Sequence, residues 1–161
     1  QFDVRLSIFS SMYSDKYTWV YDDLCSLVKE LNLENYVQID IRYLHIEEIL
    51  DNLSNCDCLV FPYQNSKESS SASVRDGLAT LKPILVTPLE IFNDVSDLVN
   101  YLPGSSPVEI ANGICNWFND SNKIAFHSSM NSSKRLQLIE SRRFSSVSKR
   151  LSNMIKSLEI N

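Results

Sequence analysis

Short apolar strands alternate with amphipathic helices along this chain, and that alternation limits its fold more than any other feature. The first strand has apolar residues at every second position: Val4, Leu6 and Ile8. The first helix has them three or four residues apart: Val20, Leu24, Leu27, Val28 and Leu31. Strands separated by helices usually pair in parallel and bury both sheet faces. The pattern therefore predicts an α/β fold, a Rossmann-like doubly wound parallel sheet with helices on both faces.

The same alternation continues to the end of the chain. Further strands are predicted at residues 37–43, 58–61 and 84–86, with a short edge strand within 98–102. Further helices are predicted at residues 46–53, from about Ser70 or Ser71, from about Pro107, and over 134–161 as a C-terminal amphipathic helix. Because the first strand follows Gln1 almost at once, we expect residues 1–161 to form a single domain cut from a longer chain.

Residues 60–88 join a strand, a polar loop, a helix and a second strand. Glu68 lies in the loop, and Asp76 lies about a turn and a half inside the helix. Open α/β sheets bind ligands at such strand-to-helix junctions. A helix N-terminus offers unpaired amides and about half a positive charge, which favours phosphate. The stretch therefore predicts a site for an anionic ligand between two carboxylates.

The helix in this stretch has a predicted buried side and a predicted ligand side. Val74, Leu78 and Leu81 lie at the i, i+4 and i+7 positions of one apolar stripe. Asp76 lies on the far side of that stripe, and helical side chains lean toward the N-terminus. We therefore expect Asp76 to be free to contact a ligand near the first turn.

Seven residues separate Glu68 from Asp76, and Ala79, Lys82-Pro83 and the strand Ile84–Val86 follow. This arrangement resembles the E-x7-E region of retaining, GT-B-fold glycosyltransferases of the family 4, or group 1, type. The resemblance implies the C-terminal, nucleotide-sugar-binding domain of such an enzyme. The acceptor would then bind to an N-terminal domain that is missing from these residues.

The resemblance also implies roles for individual residues. Glu68, as the catalytic residue, would face hydroxyls of the donor sugar, and Asp76 would hydrogen-bond the ribose of the nucleotide. The backbone from Ser70 to Ser73 would approach the sugar and the diphosphate. The implied donor-binding residues are Ser70, Ser71, Ala72, Ser73 and Asp76, with Tyr43 and Leu44 at an earlier strand-to-helix turn contacting the base.

The implied reaction is the transfer of a hexose-type sugar from a nucleotide-diphosphate sugar to an acceptor, with retention and without a metal or any other cofactor. We expect these residues alone to bind the donor and to transfer nothing. We expect a cytoplasmic protein, with peripheral membrane contact through the full-length chain as an open alternative.

The sequence departs from the family pattern at several positions. Ser69 and Ser71 stand where the family has glycine, Ser70 stands for an aromatic residue, and Asp76 stands for the second glutamate. Leu81 replaces the glycine before Lys-Pro. These departures motivate a second hypothesis, a non-catalytic interaction domain that keeps the GT-B fold but has a degenerate donor site.

Net charge and sequence motifs exclude several other classes of protein function. A net charge of −5 and a pI of about 5.0 argue against nucleic-acid binding. Basic residues near Lys67, Arg75 and Lys82 could still create a local positive pocket. The three glycines form no G-x-G-x-x-G and no P-loop. The four cysteines form no C-x-x-C pair, which indicates small buried residues in a reducing compartment rather than a zinc site.

Overall fold

The computed structural model describes residues 3–11, 17–120 and 133–158. The chain divides into two compact units, Gln1–Ile49 and Leu50–Asn161. Parallel strands are present in each unit, and the two units are described separately below. The single domain expected over residues 1–161 stays a prediction.

The first unit contains two parallel strands joined by a helix. Strand β1 (Leu6–Phe9) pairs in parallel with β2 (Val37–Asp40), and helix α1 (Thr18–Glu30) connects them. A parallel pair needs a crossover of this kind, because the chain must return to the same end of the sheet. Asn32 follows α1 with a φ of 55°, a left-handed conformation that asparagine tolerates better than most residues.

The second unit contains a three-stranded parallel sheet in the order β3-β4-β5. Its strands are β3 (Leu59–Phe61), β4 (Ile84–Val86) and β5 (Asn100–Tyr101). Helix α2 (Ile46–Ser54) precedes β3, α3 (Ala72–Ala79) joins β3 to β4, and a 3₁₀ helix (Glu90–Leu98) joins β4 to β5. Helix α4 (Pro107–Asn119), a helical segment α5 (133–142) and helix α6 (Phe144–Leu158) follow.

Strand β4 is buried on both faces of this sheet. Ile84 and Val86 pack with Val74 and Leu78 of α3 and with the 3₁₀ helix, which carries Phe92. Leu85 lies on the opposite face, where its cluster contains Leu102 and Trp117. Successive strand residues point to opposite faces, so an unbroken apolar strand needs cover on both. The predicted sheet with helices on both faces is confirmed.

The predicted buried stripe of α3 is only partly correct. Val74 and Leu78 are buried, but Leu81 lies beyond the helix, is 37% exposed and has a φ of 61°. The Thr80 hydroxyl donates to the Gly77 carbonyl oxygen at 2.7 Å, which occupies an acceptor at the end of the helix. Pro83 disfavours helical backbone just before it. The prediction for Leu81 is therefore wrong because α3 ends before that residue.

The helical tail expected over residues 134–161 is divided at Arg143. Residues 133–142 are helical, and α6 begins at Phe144. The Ser141 hydroxyl donates to the Leu138 carbonyl oxygen at 2.7 Å, and the Arg143 N–H donates to the Glu140 carbonyl oxygen at 3.3 Å. Serine hydroxyls that bond to nearby carbonyls compete with the helical ladder. The tail is therefore two helices in its described part.

Candidate functional site

Ser71 is the N-cap residue of α3, at the strand-to-helix junction that follows β3. Its backbone is extended, and its Oγ accepts the Val74 N–H at 3.2 Å. Serine is favoured here because its hydroxyl satisfies an amide that has no intrahelical partner. The predicted helix start near Ser70 or Ser71 is confirmed.

Tyr63 and Thr87 fix this junction to the sheet. The Tyr63 hydroxyl lies 3.1 Å from the Ser71 Oγ, and the Thr87 hydroxyl donates to the Tyr63 carbonyl oxygen at 2.5 Å. The Tyr63 ring also packs against Phe92, with ring centroids 5.3 Å apart. The carboxyl ends of β3 and β4 therefore hold the first turn of α3 in place. Sequence reasoning missed both residues, although each is a polar residue beside proline just after a buried strand.

The backbone amides of Ala72 and Ser73 are the groups that a phosphate would meet at this junction. Both side chains are exposed. Within the part of the chain that the structure describes, neither N–H group has a hydrogen-bond partner. Amides in the first turn of a helix, together with its dipole, form a natural anion site. The first turn of α3 therefore offers two available donors.

Glu68 lies in the loop before α3, as predicted, and is exposed. Its N–H donates to the Ser66 Oγ at 3.2 Å, which shapes the loop locally. Its carboxylate has no hydrogen bond or ion pair with any residue in the described ranges. Glu68 is therefore available to accept hydrogen bonds from hydroxyl groups of a ligand.

Asp76 is half-buried on α3, and its carboxylate also lacks a partner among residues 3–11, 17–120 and 133–158. Desolvation by burial raises the pKa of this carboxyl above its ordinary value. A carboxylate that loses water without gaining a protein donor costs free energy. Buried carboxylates that lack a protein donor cluster at functional sites, where a ligand supplies the donor.

The other predicted donor-binding residues have different surroundings. Ser70 is half-buried, while the Ser71 hydroxyl is already occupied by Val74 and Tyr63. Ser71 therefore positions the helix, and its side chain is not free for a ligand.

Tyr43 and Leu44 lie in the first unit, apart in sequence from the α3 junction. Tyr43 is exposed and makes an edge-on contact with the His45 ring, with centroids 6.3 Å apart. Leu44 is only 7% exposed, so its side chain serves packing. Of this pair, only Tyr43 has an exposed side chain.

Two of the three basic residues named for the positive pocket have other surroundings. The Arg75 guanidinium donates to the Ser71 carbonyl oxygen at 3.0 Å and pairs with Asp94. Lys82 follows the C-terminal end of α3, opposite the first turn at Ser71. The helix has 8 residues, so the two ends are about 12 Å apart at 1.5 Å per residue. Arg75 is thus neutralised and Lys82 lies beyond the far end of the helix, so neither supports the pocket.

Thiol and metal chemistry have little support in the described ranges. All four cysteines are free, and burial raises the pKa of the Cys58 thiol to about 12, so that thiol stays protonated near neutral pH. Cys115 is exposed and the other three are only half-buried, contrary to the expectation of four buried cysteines. No group of three or more His, Cys, Asp or Glu residues within 3–11, 17–120 and 133–158 is arranged to hold a metal ion. Metal independence stays a prediction.

Comparison with known proteins finds likeness in structure rather than in sequence. No protein-family model matches the chain, and no curated protein does. The structure resembles Anabaena Alr3699/HepE in complex with UDP and glucose, with 16% identity, a TM-score of 0.70, and coverage of 96% of this chain and 40% of that one. It resembles the same protein with UDP-glucose at 16% identity and a TM-score of 0.69, covering 96% of this chain and 41% of that one.

A second solved protein has the same fold. Sucrose-phosphate synthase from Thermosynechococcus elongatus is 14% identical, with a TM-score of 0.72, and the match covers 97% of this chain and 39% of that one. The chain thus spans about 40% of the length of the structures that it resembles.

Proposed function

The chain has the Rossmann-like fold of GT-B glycosyltransferases, and on that premise we propose that it is the nucleotide-sugar-binding domain of such an enzyme. The solved relative HepE was captured with UDP and with UDP-glucose. A nucleotide-diphosphate sugar carries both the reactive sugar and its leaving group, so the proposed reaction needs no further cofactor.

One observation carries this proposal. The carboxylates of Glu68 and Asp76 and the Ala72 and Ser73 amides are all without partners in the described part of the chain, and all lie between the loop before α3 and the second turn of that helix. The amides donate to the diphosphate, and the half-buried Asp76 accepts from a ribose hydroxyl. Glu68, in the exposed loop, accepts from hydroxyls of the sugar. Each unpaired group thus meets a part of the donor with complementary chemistry.

The chemistry at this site is positioning and electrostatic stabilisation. Negative charge develops on the diphosphate as the bond to the sugar breaks, and the amides of a helix start are oriented to stabilise it. Glu68 is the proposed catalytic residue because it orients the sugar at the reacting carbon. Retention of configuration, a hexose as the sugar and independence of metal are parts of the proposal that rest on the resemblance at Glu68 and Asp76.

The contact for the base and the place of the acceptor are implied by the resemblance to the family. That Tyr43, whose ring is exposed, contacts the base stays a prediction from the resemblance. The acceptor is proposed to bind to another domain of a longer chain, so the 161 residues alone bind the donor without transfer. The proposed enzyme works in the cytoplasm, and no nucleic acid takes part.

The alternative of a degenerate, non-catalytic domain has weaker support. It would be favoured if serine side chains filled the space before the amides, but Ser71 folds back onto Val74 and Tyr63. Leu81, which stands for a glycine of the family pattern, has the left-handed φ of 61° that glycine adopts readily. The hydrogen bonds of Ser71 therefore favour a working donor site, whereas Leu81 lies beyond the far end of α3 and bears only on the turn there.

Backbone amide NMR tests the proposal at the level of single groups. Titration with UDP is expected to shift the Ala72 and Ser73 amide resonances most, because those N–H groups are the proposed phosphate donors. The Lys82 amide, beyond the other end of α3, serves as the control. Saturable UDP binding that leaves the Ala72 and Ser73 resonances unmoved would place the nucleotide elsewhere and refute the proposed site.

A further inference from the structure

A cavity of about 440 Å³ lies between β5, the last strand of the second unit's sheet, and helix α4. Its walls come from β4, from residues 99–103 and from α4. No residue of α3 or of the loop before it lines the cavity. The volume is within the range of roughly 300–1,000 Å³ that small-molecule pockets have. The cavity is therefore large enough for a small ligand and is separate from the proposed donor site.

The floor of this cavity is apolar. Leu85 of β4, Leu102 after β5 and Trp117 of α4 form one buried cluster, and each is at most 5% exposed. Helix α4 comes close to the sheet because Gly113 has no side chain. A β-carbon at Gly113 would lie 2.6 Å from the Leu102 Cδ2 and 2.7 Å from the Pro103 Cδ. The buried cluster therefore offers an apolar base against which C–H groups of a ligand can pack.

Two side-chain amides supply polar groups to the walls. Asn116 is exposed on α4, and its side chain forms no hydrogen bond with a residue in the described ranges. The Asn100 side-chain nitrogen donates to the Ile84 carbonyl oxygen at 3.2 Å, which fixes that amide. The Asn100 side-chain oxygen and second N–H have no partner in the described part of the chain. The Tyr101 hydroxyl, by contrast, already donates to the Phe92 carbonyl oxygen at 3.4 Å.

Asn100 is an unusual residue for its place in the sheet. Strands disfavour asparagine, and the nearby residues Leu98, Val99 and Leu102 are all buried and apolar. The bond to Ile84 uses only one of the two N–H donors that the Asn100 side chain carries. A residue that conflicts with local propensity is expected where it serves binding. Asn100 therefore points to a ligand in the cavity that its side chain lines.

The lining of the cavity matches an uncharged ligand rich in hydroxyl groups. None of the described residues around it is acidic, basic or a histidine, so the lining offers no charge to a phosphate or to a cation. A hydroxyl group both donates and accepts hydrogen bonds, as a side-chain amide does. We propose that the cavity binds a neutral saccharide, whose hydroxyl groups pair with the Asn100 and Asn116 amides and whose C–H groups pack on Leu102 and Trp117. This inference does not depend on nucleotide binding at α3.

NMR titration of the 161-residue chain with maltose, cellobiose, lactose and sucrose tests this proposal. We expect at least one of these saccharides to shift the Gly113 backbone amide and the Asn116 side-chain amide saturably. Asn116→Leu keeps the size of the side chain and removes its amide, so it should weaken that binding about fivefold, the effect of one lost hydrogen bond. Asn112→Leu is the matched control and should leave binding unchanged, because Asn112 is exposed on α4 and does not line the cavity.

Several results would overturn the proposal. No saturable shift with any of the four saccharides would do so, and so would equal affinity in Asn116→Leu and the unmodified chain. Indole serves as an apolar probe of the same cavity. If indole binds there, Asn116→Leu tightens its binding and no saccharide displaces it, the cavity belongs to an apolar ligand. Binding of UDP is read from the separate Ala72 and Ser73 amide resonances, so failure of this inference is distinguishable from failure of the proposed donor site.

Discussion

The hydroxyl oxygens of Tyr63 and Ser71 lie 3.1 Å apart. The same Ser71 oxygen accepts the Val74 N–H at 3.2 Å, and Thr87 donates to the Tyr63 carbonyl oxygen at 2.5 Å. These hydrogen bonds connect the ends of β3 and β4 to the first turn of α3. The amides proposed to bind phosphate are therefore positioned by the sheet rather than by a free loop.

The N-cap of α3 gives the first prediction. Ser71→Ala removes the acceptor of the Val74 N–H and leaves the Tyr63 hydroxyl without its partner, so the free energy of unfolding should fall by about 1 kcal/mol. Urea unfolding followed by circular dichroism measures this change. The control is Ser73→Ala, an exposed neighbour whose effect should stay within about 0.5 kcal/mol. Equal effects of the two substitutions would show that Ser71 does not cap the helix.

The left-handed backbone at Leu81 gives the second prediction. A side chain with a β-carbon is strained at a φ of 61°, whereas glycine is not. Leu81→Gly and Leu81→Ala both remove the leucine side chain beyond the β-carbon, but only glycine also removes the strain. We expect Leu81→Gly to be about 1 kcal/mol more stable than Leu81→Ala by urea unfolding. Greater stability of the alanine variant would contradict the left-handed assignment.

Sequence periodicity was sufficient to predict most of the second unit. The apolar run Ile84–Val86 predicted a strand, and the structure buries all three residues, as expected for a central strand of a parallel sheet covered on both faces. Leu81 was misplaced because it continues the helical period of Val74 and Leu78. The spacing of apolar residues predicts which side of a helix a residue would occupy, but it does not predict where the helix ends.

The half-buried carboxylate of Asp76 gives the third prediction, which concerns pH. Since burial raises its pKa above 3.8, the folded chain keeps the proton over an interval in which the unfolded chain has lost it. This contribution to stability is full below pH 3.8 and is lost as pH rises through the raised pKa. Asp76→Asn should therefore raise the midpoint of urea unfolding at neutral pH and change it little below pH 3.8.

Glu68→Gln is the control for that experiment. Its carboxylate is exposed and has no partner in the described part of the chain, so the substitution should leave the midpoint unchanged at both pH values. If Asp76→Asn lowers the midpoint of urea unfolding at neutral pH, the Asp76 carboxylate has a stabilising partner in the folded chain. Our description of it as a half-buried carboxylate without a partner would then be wrong.

The pairing of Arg75 with Asp94 gives the fourth prediction. Asp94→Ala removes the partner of a guanidinium that also donates to the Ser71 carbonyl oxygen at 3.0 Å. We expect a loss of roughly 1 kcal/mol in the free energy of unfolding, because a largely buried cation is left unpaired. Arg142 lies 3.9 Å from the same carboxylate, and its side chain is 44% exposed, so Arg142→Ala is the matched control. Its expected effect is less than about 0.5 kcal/mol. A larger effect for Arg142→Ala than for Asp94→Ala would contradict this assignment.

The sequence was less informative about how charged and hydroxyl groups pair. Glu68 and Asp76 could be singled out by their spacing, and their carboxylates are unpaired among the residues that the structure describes, but the spacing of Lys67, Arg75 and Lys82 did not show that Arg75 would be neutralised. Asp94 neutralises Arg75 across 19 positions of sequence, and Thr87 reaches Tyr63 across 24. Contacts this distant depend on how strands and helices pack, which a local pattern does not contain.

The central claim is that a nucleotide-sugar binds at the start of α3, with Asp76 as a ligand. Calorimetric titration with UDP and UDP-glucose tests it most directly, in the unmodified chain, in Asp76→Asn and in Asp57→Asn. Asp57 precedes β3 and so lies toward the opposite end of that strand from the α3 junction, which makes it a matched acid-to-amide control. We predict saturable binding that Asp76→Asn weakens roughly tenfold, the cost of one lost hydrogen bond to a charged group, and that Asp57→Asn leaves unchanged. Absence of binding to either ligand, or equal affinity in Asp76→Asn and the unmodified chain, would contradict the claim.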